Sequence, residues 1–253
     1  MLREEHFCFL TPKKGNAPEE CEDSISFGIW KRKRLARSGL NVAIADGATE
    51  SSFSKEWSDL LTKSFCRSDL PHPDGLLQNL PGLRIQWEAM ITEKTLPWYA
   101  QEKAEKGAYS AFLGLSINLE DHSYGAIAVG DCCLFQVRNE MVISNFPILL
   151  SSEFGNNPYL VSSKSLMNTD LESKIRITGK DLMKGDTLFL MSDAMSHWFM
   201  SGTEMSQHPW EILKTFKKGK SPDKDKLSAW LDEQRIKKDI KNDDVVLSII
   251  EFY

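Results

Sequence analysis

The chain has 253 residues, of which 41% are hydrophobic and 26% charged, and its formal net charge is −5 at pH 7. This balance is typical of a globular protein with one sizeable core, and we expect a single domain over residues 1–253. The longest apolar runs are far too short to span a bilayer, which disfavours a membrane protein. The acidic charge disfavours a dedicated nucleic-acid binder, because such proteins usually carry a basic excess.

The cysteines and the N-terminal segment indicate the compartment. Cysteine occurs at five positions, an odd number without disulfide-like spacing, which is typical of a reducing environment. The N-terminal segment carries acids before a short apolar stretch and has no small-residue cleavage site, which disfavours a secretory signal. We therefore predict a cytoplasmic location.

The first part of the chain alternates short apolar runs with polar turns, a pattern that predicts strands at 6–10, 25–30 and 40–45. Apolar residues recur at helical spacing in 54–65, and Ser54 suits an N-cap, so a helix is predicted there. The basic cluster at 31–37 predicts an exposed hairpin turn, or alternatively a patch that attracts phosphorylated substrate by its charge.

The middle of the chain changes character twice. Residues 71–106 contain four prolines, which predicts several short helices rather than one long helix. Closely spaced apolar runs then predict an antiparallel meander of strands at 109–118, 122–130, 134–138 and 141–145. Polar residues fill 151–173, which is predicted to be a long loop or a small lid.

The last part of the chain returns to alternating strands and helices. Strands are predicted at 175–177 and 187–191, helices at 210–216 and 227–236, and a final strand at 245–252. The nearly continuous apolar pattern of the final strand predicts a central position in a sheet. Two batches of strands separated by helices favour packed sheets flanked by helices over a doubly wound parallel fold.

Acidic residues fall at the ends of these strands. Asp46, Asp131 and Asp193 each end an apolar strand, whereas the pairs 22–23 and 243–244 each precede one. Carboxylates at strand ends can converge at one rim of a sheet, where a hard cation such as Mg²⁺ or Mn²⁺ relieves their mutual repulsion. Each acid taken alone is better explained by local turn capping, so the metal hypothesis depends on the whole set.

Together these acids form an ordered set of short motifs. The set comprises Glu22-Asp23-Ser24, Ala45-Asp46-Gly47, Val129-Gly130-Asp131-Cys132, the segment Gly185–Asp193, and Asp243-Asp244-Val245-Val246. In this order and at this spacing, the set resembles the metal-dependent serine/threonine protein phosphatases of the 2C type, in a divergent bacterial form. The resemblance covers nearly the whole chain, from about residue 21 to residue 250.

The resemblance implies an α+β fold, a four-layer α-β-β-α sandwich in which two mainly antiparallel sheets are flanked by helices. It also implies a binuclear Mn²⁺ or Mg²⁺ centre, with a possible third ion, at which a metal-activated water hydrolyses phosphoserine and phosphothreonine in proteins. Asp46 would bridge the two ions and the Gly47 carbonyl would bind one of them. Asp193 and Asp243 would complete the ligand set of the second ion, and Asp46, Asp193 and Asp243 would be the catalytic residues. Glu22 would hold the first ion or its waters, and Asp131 a third ion.

The sequence also departs from the family pattern. Pro18 stands where the family has a phosphate-binding arginine, and Lys13 or Lys14 is the candidate replacement, although lysine lacks the bidentate fork. Ala194 stands where a glycine usually follows the third aspartate. Two alternatives therefore remain beside an active phosphoprotein phosphatase: an inactive relative that works as a binding module, and a different metal hydrolase. The histidines have no zinc-like spacing, and His197 is the one that could reach the site.

Overall fold

The chain is described here by a computed structural model that covers residues 2–32, 37–67, 74–155, 157–218 and 221–253. Within these ranges, two large antiparallel sheets pack face to face and carry helices on their outer faces. This is the four-layer α-β-β-α arrangement that the family resemblance implies. No described helix combines the length and the apolar composition that crossing a bilayer requires.

The first sheet has the strand order β1-β13-β10-β6-β7, so the final strand is central, as predicted. Its strands are β1 (Glu4–Thr11), β6 (Cys133–Arg138), β7 (Met141–Phe146), β10 (Thr187–Met191) and β13 (Val245–Phe252). The second sheet has the order β2-β3-β4-β5-β9, and a short strand, β8, pairs with β4. Its strands are β2 (Ser24–Arg32), β3 (Arg37–Gly47), β4 (Tyr109–Asn118), β5 (Ser123–Val129), β8 (Val161–Ser162) and β9 (Arg176–Asp181). A short hairpin, β11 (Lys217–Lys218) and β12 (Ser221–Pro222), pairs separately.

The layers follow from side-chain alternation along the strands. In β3, Val42 and Ile44 point between the two sheets, whereas Ala43 and Ala45 point to the outer helices. The helices are α1 (Ser54–Arg67), α2 (Asp74–Thr92), α3 (Trp98–Lys106), α4 (Leu171–Lys174), α5 (Asp193–Glu204), α6 (Pro209–Lys214) and α7 (Lys224–Lys237). Apolar residues of α1 and α2 cover the second sheet, and those of α5, α6 and α7 cover the first.

The prediction of several short helices in 71–106 is wrong for its central part. Residues 74–92 form one helix that continues through Pro81. Proline inside a helix removes a hydrogen bond and crowds the preceding turn. The apolar residues at 76, 80, 83, 87 and 91 are nevertheless all buried on one side of α2. Burial of this stripe outweighs the local cost of the proline.

The predicted meander is also wrong in its middle. β5 belongs to one sheet and β6 to the other, so the chain crosses between the sheets at residues 130–132. Gly130 makes the crossing possible with a φ of +96°, a conformation that side chains rarely adopt. Helix α5 was not predicted at all. Within the basic cluster, Lys33 and Arg34 lie outside the described residues.

Candidate active site

An open cleft of about 590 Å³ lies where the ends of several strands meet. It is lined by Lys13, Asp46, Gly47, Ala48, Thr49, Glu50, Ala111, Asp131, Gly155, Asn157, Pro158, Leu160, Asp193, Lys241, Asn242 and Asp243. The predicted site residues Asp46, Gly47, Asp131, Asp193 and Asp243 are all in this lining. Folding thus brings together residues that are separated by up to 197 positions in the chain.

Asp46 and Gly47 end β3 at the floor of the cleft, directly before the turn into α1. Gly47 is tightly surrounded, because a Cβ there would lie 2.7 Å from the Glu22 carbonyl oxygen and 3.0 Å from Ser58 Oγ. The absence of a side chain therefore lets β3, the Glu22 segment and α1 approach one another closely. Gly47 is buried and lies in the lining of the cleft.

Asp131 and Asp193 enter the cleft from a crossover and from a helix start. Asp131 follows Gly130 at the point where the chain passes between the sheets. Asp193 is the first residue of α5, where the helix dipole favours a negative charge. Ala194 is the next residue of α5, so its backbone is helical and needs no glycine.

Crowding makes these carboxylates hard to ionise together. Burial raises the pKa of Asp46 well above its usual range, and the nearby carboxylates of Asp23 and Asp193 raise it further. Burial, followed by the charge of Asp193, raises the pKa of Asp131 to about 7. The pKa of Asp193 is also raised by burial, although Lys241 opposes the rise. Each carboxylate therefore resists the charge of the others.

Asp23 adds a further carboxylate directly behind the cleft. It is 1% exposed, and its Oδ2 has no hydrogen-bond partner among the described residues. Burial raises its pKa, as do the charges of Asp244 and Asp193, whereas a hydrogen bond from Ser192 opposes the rise. An unpaired buried carboxylate oxygen is costly unless something else compensates it.

Lys241 contacts two of the cleft aspartates. Its Nζ lies 2.6 Å from Asp243 Oδ2 and 3.7 Å from Asp193 Oδ2. In the described parts of the chain, no group of three or more histidine, cysteine, aspartate or glutamate side chains is arranged so that it could hold a metal ion. Lys241 was not predicted from the sequence as a site residue, although its position two residues before Asp243 could have indicated a contact with that aspartate.

Glu22 lies beside the cleft rather than in its lining. Ser54 Oγ donates a hydrogen bond to Glu22 Oε1, and Lys13 Nζ lies 3.8 Å from Glu22 Oε2. Of the two candidate lysines, Lys13 lines the cleft and Lys14 is not part of the lining. Pro18 lies on the surface in a short 3₁₀ turn.

Two further predictions concern the segment 151–173 and His197, and only the first contributes to the cleft lining. The segment predicted as a loop or lid, 151–173, contributes one wall of the cleft through Gly155, Asn157, Pro158 and Leu160. His197 is exposed on α5 and packs edge-on against Phe154, with ring centres 5.5 Å apart, and it is not in the cleft lining.

No protein-family model matches the sequence, and no curated protein sequence matches it. Solved structures do match. The serine/threonine phosphatase PstP/Ppp of Mycobacterium tuberculosis has a TM-score of 0.60 at 16% identity, over 99% of this chain and 98% of that chain. The catalytic domain of PstP in complex with two manganese ions has a TM-score of 0.59 at 15% identity, over 100% of this chain and 99% of that chain. A third match is the PP2C phosphatase domain of SpoIIE from Bacillus subtilis, solved with a fragment of its regulatory domain. It has a TM-score of 0.57 at 18% identity, over 99% of this chain and 63% of that chain. The chain therefore has the fold of the bacterial PP2C-type serine/threonine phosphatases.

Proposed function

We propose that the chain is a metal-dependent phosphatase that hydrolyses phosphoserine and phosphothreonine in proteins. The observation that carries this proposal is the convergence of Asp46, Asp131, Asp193 and Asp243 on one cleft. The PP2C-type fold supports it, and the PstP catalytic domain of that fold holds two manganese ions.

The donors of the cleft are of the chemical type that suits hard divalent cations, although no three described carboxylates are arranged as metal ligands in this structure. Its acids supply carboxylate oxygens and Gly47 supplies a backbone carbonyl, which are the ligands that Mg²⁺ and Mn²⁺ prefer. The raised pKa of Asp46 and the unpaired oxygen of Asp23 indicate negative charge that the protein itself does not fully compensate. A divalent cation supplies that compensation.

Each residue has a distinct proposed role. Asp46 and the backbone carbonyl of Gly47 would hold the metal ions at the end of β3. Asp193 and Asp243 would hold the second ion, Glu22 would hold the first ion or its waters, and Asp131 would hold a third. When bound, such ions lower the pKa of water to near neutrality and neutralise phosphate oxygens during displacement. The polypeptide would hold the ions in place and orient the phosphate toward them.

Lys13 is the proposed replacement for the missing phosphate-binding arginine. It lines the cleft, its Nζ lies 3.2 Å from Thr49 Oγ1, and Asp244 fixes its backbone amide at 2.8 Å. An ammonium held in this way offers a phosphate dianion one compact positive charge. The wall formed by Gly155, Asn157, Pro158 and Leu160 would contact the protein chain on either side of the phosphorylated residue.

The test combines metal binding with turnover. Calorimetric titration would measure Mn²⁺ binding. Hydrolysis of a phosphothreonine peptide and of p-nitrophenyl phosphate would be measured in the presence of Mn²⁺, Mg²⁺ or EDTA. We expect Mn²⁺ binding and turnover that EDTA abolishes. Asp46→Asn and Asp193→Asn should each lower kcat about a thousandfold or more. Asp225→Asn on the exposed face of α7 removes the same charge away from the cleft and should leave kcat unchanged.

A folded wild-type chain without metal-dependent turnover on either substrate would contradict the proposal and favour a binding module. The contacts of Lys241 with Asp193 and Asp243, together with Pro18 at the arginine position, are the features that favour this second candidate.

A further inference from the structure

Lys241 lies between two carboxylates that the proposed function assigns to one metal ion. Its Nζ is 2.6 Å from Asp243 Oδ2 and 3.7 Å from Asp193 Oδ2. The side chain of Lys241 is 68% exposed, whereas those of Asp193 and Asp243 are 22% and 25% exposed. The lysine therefore reaches in from the rim, and the aspartates belong to the wall of the cleft.

An ammonium group and a divalent cation compete for the same carboxylate oxygens of Asp193 and Asp243. Both are stabilised by carboxylate oxygens, and a contact at 2.6 Å places the ammonium within direct hydrogen-bond distance of Asp243. A cation that binds Asp193 and Asp243 together must share or displace this contact, because two positive charges at the same oxygens repel each other.

The position of Lys241 in the chain allows this displacement. It lies in the short connection between α7, which ends at Lys237, and β13, which begins at Val245. Its long side chain is mostly in solvent, so it can swing out of the cleft without moving the wall. Asp243, by contrast, is held near the start of the central strand β13.

We propose that Lys241 is a tethered cation that competes with metal for Asp193 and Asp243 and thereby sets the metal affinity of the site. This inference rests on the proposed function, because it assumes that these two aspartates are metal ligands. It implies that the chain keeps a lower metal affinity than its carboxylates alone would give, and that activity follows the free metal concentration.

The test compares Mn²⁺ binding by calorimetry in the wild type, Lys241→Met and Lys241→Arg. Methionine keeps much of the length of the side chain and removes its charge, whereas arginine keeps the charge. We expect Lys241→Met to bind Mn²⁺ about two- to fivefold more tightly than the wild type, which is the range for a partly exposed ion pair. Lys241→Arg should bind like the wild type.

Lys237→Met is the matched control, because Lys237 is exposed at the end of α7 and its substitution makes the same change in net charge. We expect it to leave Mn²⁺ affinity unchanged. Thermal unfolding supplies a second readout that does not depend on turnover. In EDTA, Lys241→Met should unfold at a lower temperature than the wild type, because Asp193 and Asp243 lose their counterion. Its stabilisation by Mn²⁺ should be larger than that of the wild type.

The outcomes separate this inference from the proposed function. Wild-type Mn²⁺ binding that Lys241→Met does not strengthen overturns the inference and leaves the proposed function standing. An equal gain in Lys237→Met also overturns it, because the effect is then one of overall charge. Binding that appears only in Lys241→Met supports the inference and counts against activity in the wild type. Absence of Mn²⁺ binding in every variant overturns both.

Discussion

The carboxylate of Asp244 accepts a hydrogen bond of 2.7 Å from the backbone amide of Glu22. Its second oxygen accepts another, of 2.8 Å, from the amide of Lys13. One buried aspartate at the start of β13 thus fixes both the segment that carries Glu22 and the segment that carries Lys13. This explains why the two adjacent aspartates differ in role, since Asp243 lines the cleft and Asp244 holds the backbone behind it.

Asp244→Ala should therefore weaken the fold and the site together. Two backbone amides would lose a charged acceptor, and hydrogen bonds to charged groups contribute about 1.5–3 kcal/mol each. We expect the free energy of unfolding to fall by about 3 kcal/mol and the KM for a phosphopeptide to rise. Chemical denaturation and steady-state kinetics would check this. Unchanged stability would show that water replaces the carboxylate without cost.

Asp46→Asn should separate stability from function. Burial and the neighbouring carboxylates raise the pKa of Asp46, so its charge opposes folding near neutral pH. In EDTA at pH 7.5, we expect Asp46→Asn to be more stable than the wild type, because it removes a charge that folding disfavours. In Mn²⁺ the order should reverse, because the variant loses the bridging ligand. Denaturation curves with and without Mn²⁺ measure both, and a variant less stable in EDTA would contradict the argument.

Lys13→Met tests the proposed phosphate contact. Loss of the ammonium should raise the KM for a phosphothreonine peptide about tenfold, the effect of losing one charged hydrogen bond to phosphate. Lys14→Met is the control, because Lys14 is exposed next to Lys13 but is not in the cleft lining. Equal kinetic effects of the two substitutions would refute a specific role for Lys13.

Gly47→Ala tests the close packing at the end of β3. The added Cβ would lie 2.7 Å from the Glu22 carbonyl oxygen and 3.0 Å from Ser54 Cβ, so β3 or α1 must shift. We expect a loss of about 1–3 kcal/mol in stability, the usual cost of overpacking. Gly82→Ala in α2 is the contrast, because its Cβ would meet no described atom within 4 Å. It should stabilise the helix by about 0.5–1 kcal/mol.

Asp186→Asn tests an ion pair away from the cleft. Burial opposes ionisation of Asp186, but hydrogen bonds from Arg138, the Met183 amide and Gln136 outweigh it and lower the pKa. The stabilisation is therefore complete above the unfolded pKa of about 4 and is lost as the pH falls through the lower folded value. We expect the variant to be about 2–3 kcal/mol less stable at pH 7, with a smaller difference at pH 3.

The control for this ion pair is an exposed one on α3. Lys106 Nζ lies 3.3 Å from Glu102 Oε1, and both side chains are more than half exposed. Glu102→Gln should change the stability by about 0.5 kcal/mol or less, because surface ion pairs are screened by solvent. Denaturation series at several pH values would compare the two variants. A pH-independent effect at Asp186 would show that its charge is not what stabilises the fold.

Periodicity in the sequence was sufficient to predict most strands and the helices α1, α6 and α7. These elements form because each has one apolar face, and the spacing of that face is a local property of the chain. The final strand β13 was correctly predicted to be central, because its burial on both faces requires a continuous apolar run. The positions of Asp46, Asp131, Asp193 and Asp243 at strand ends were likewise visible in the sequence.

Tertiary structure decided the rest. Whether Pro81 ends a helix depends on how much apolar surface α2 buries against its neighbours, which spacing alone does not give. The crossing at Gly130 sends β5 and β6 to different sheets, because a turn signal does not encode which sheet the next strand joins. Only folding brings Lys241 to Asp193, 48 residues away in the sequence, since a side-chain contact between distant residues depends on the packing of every element between them.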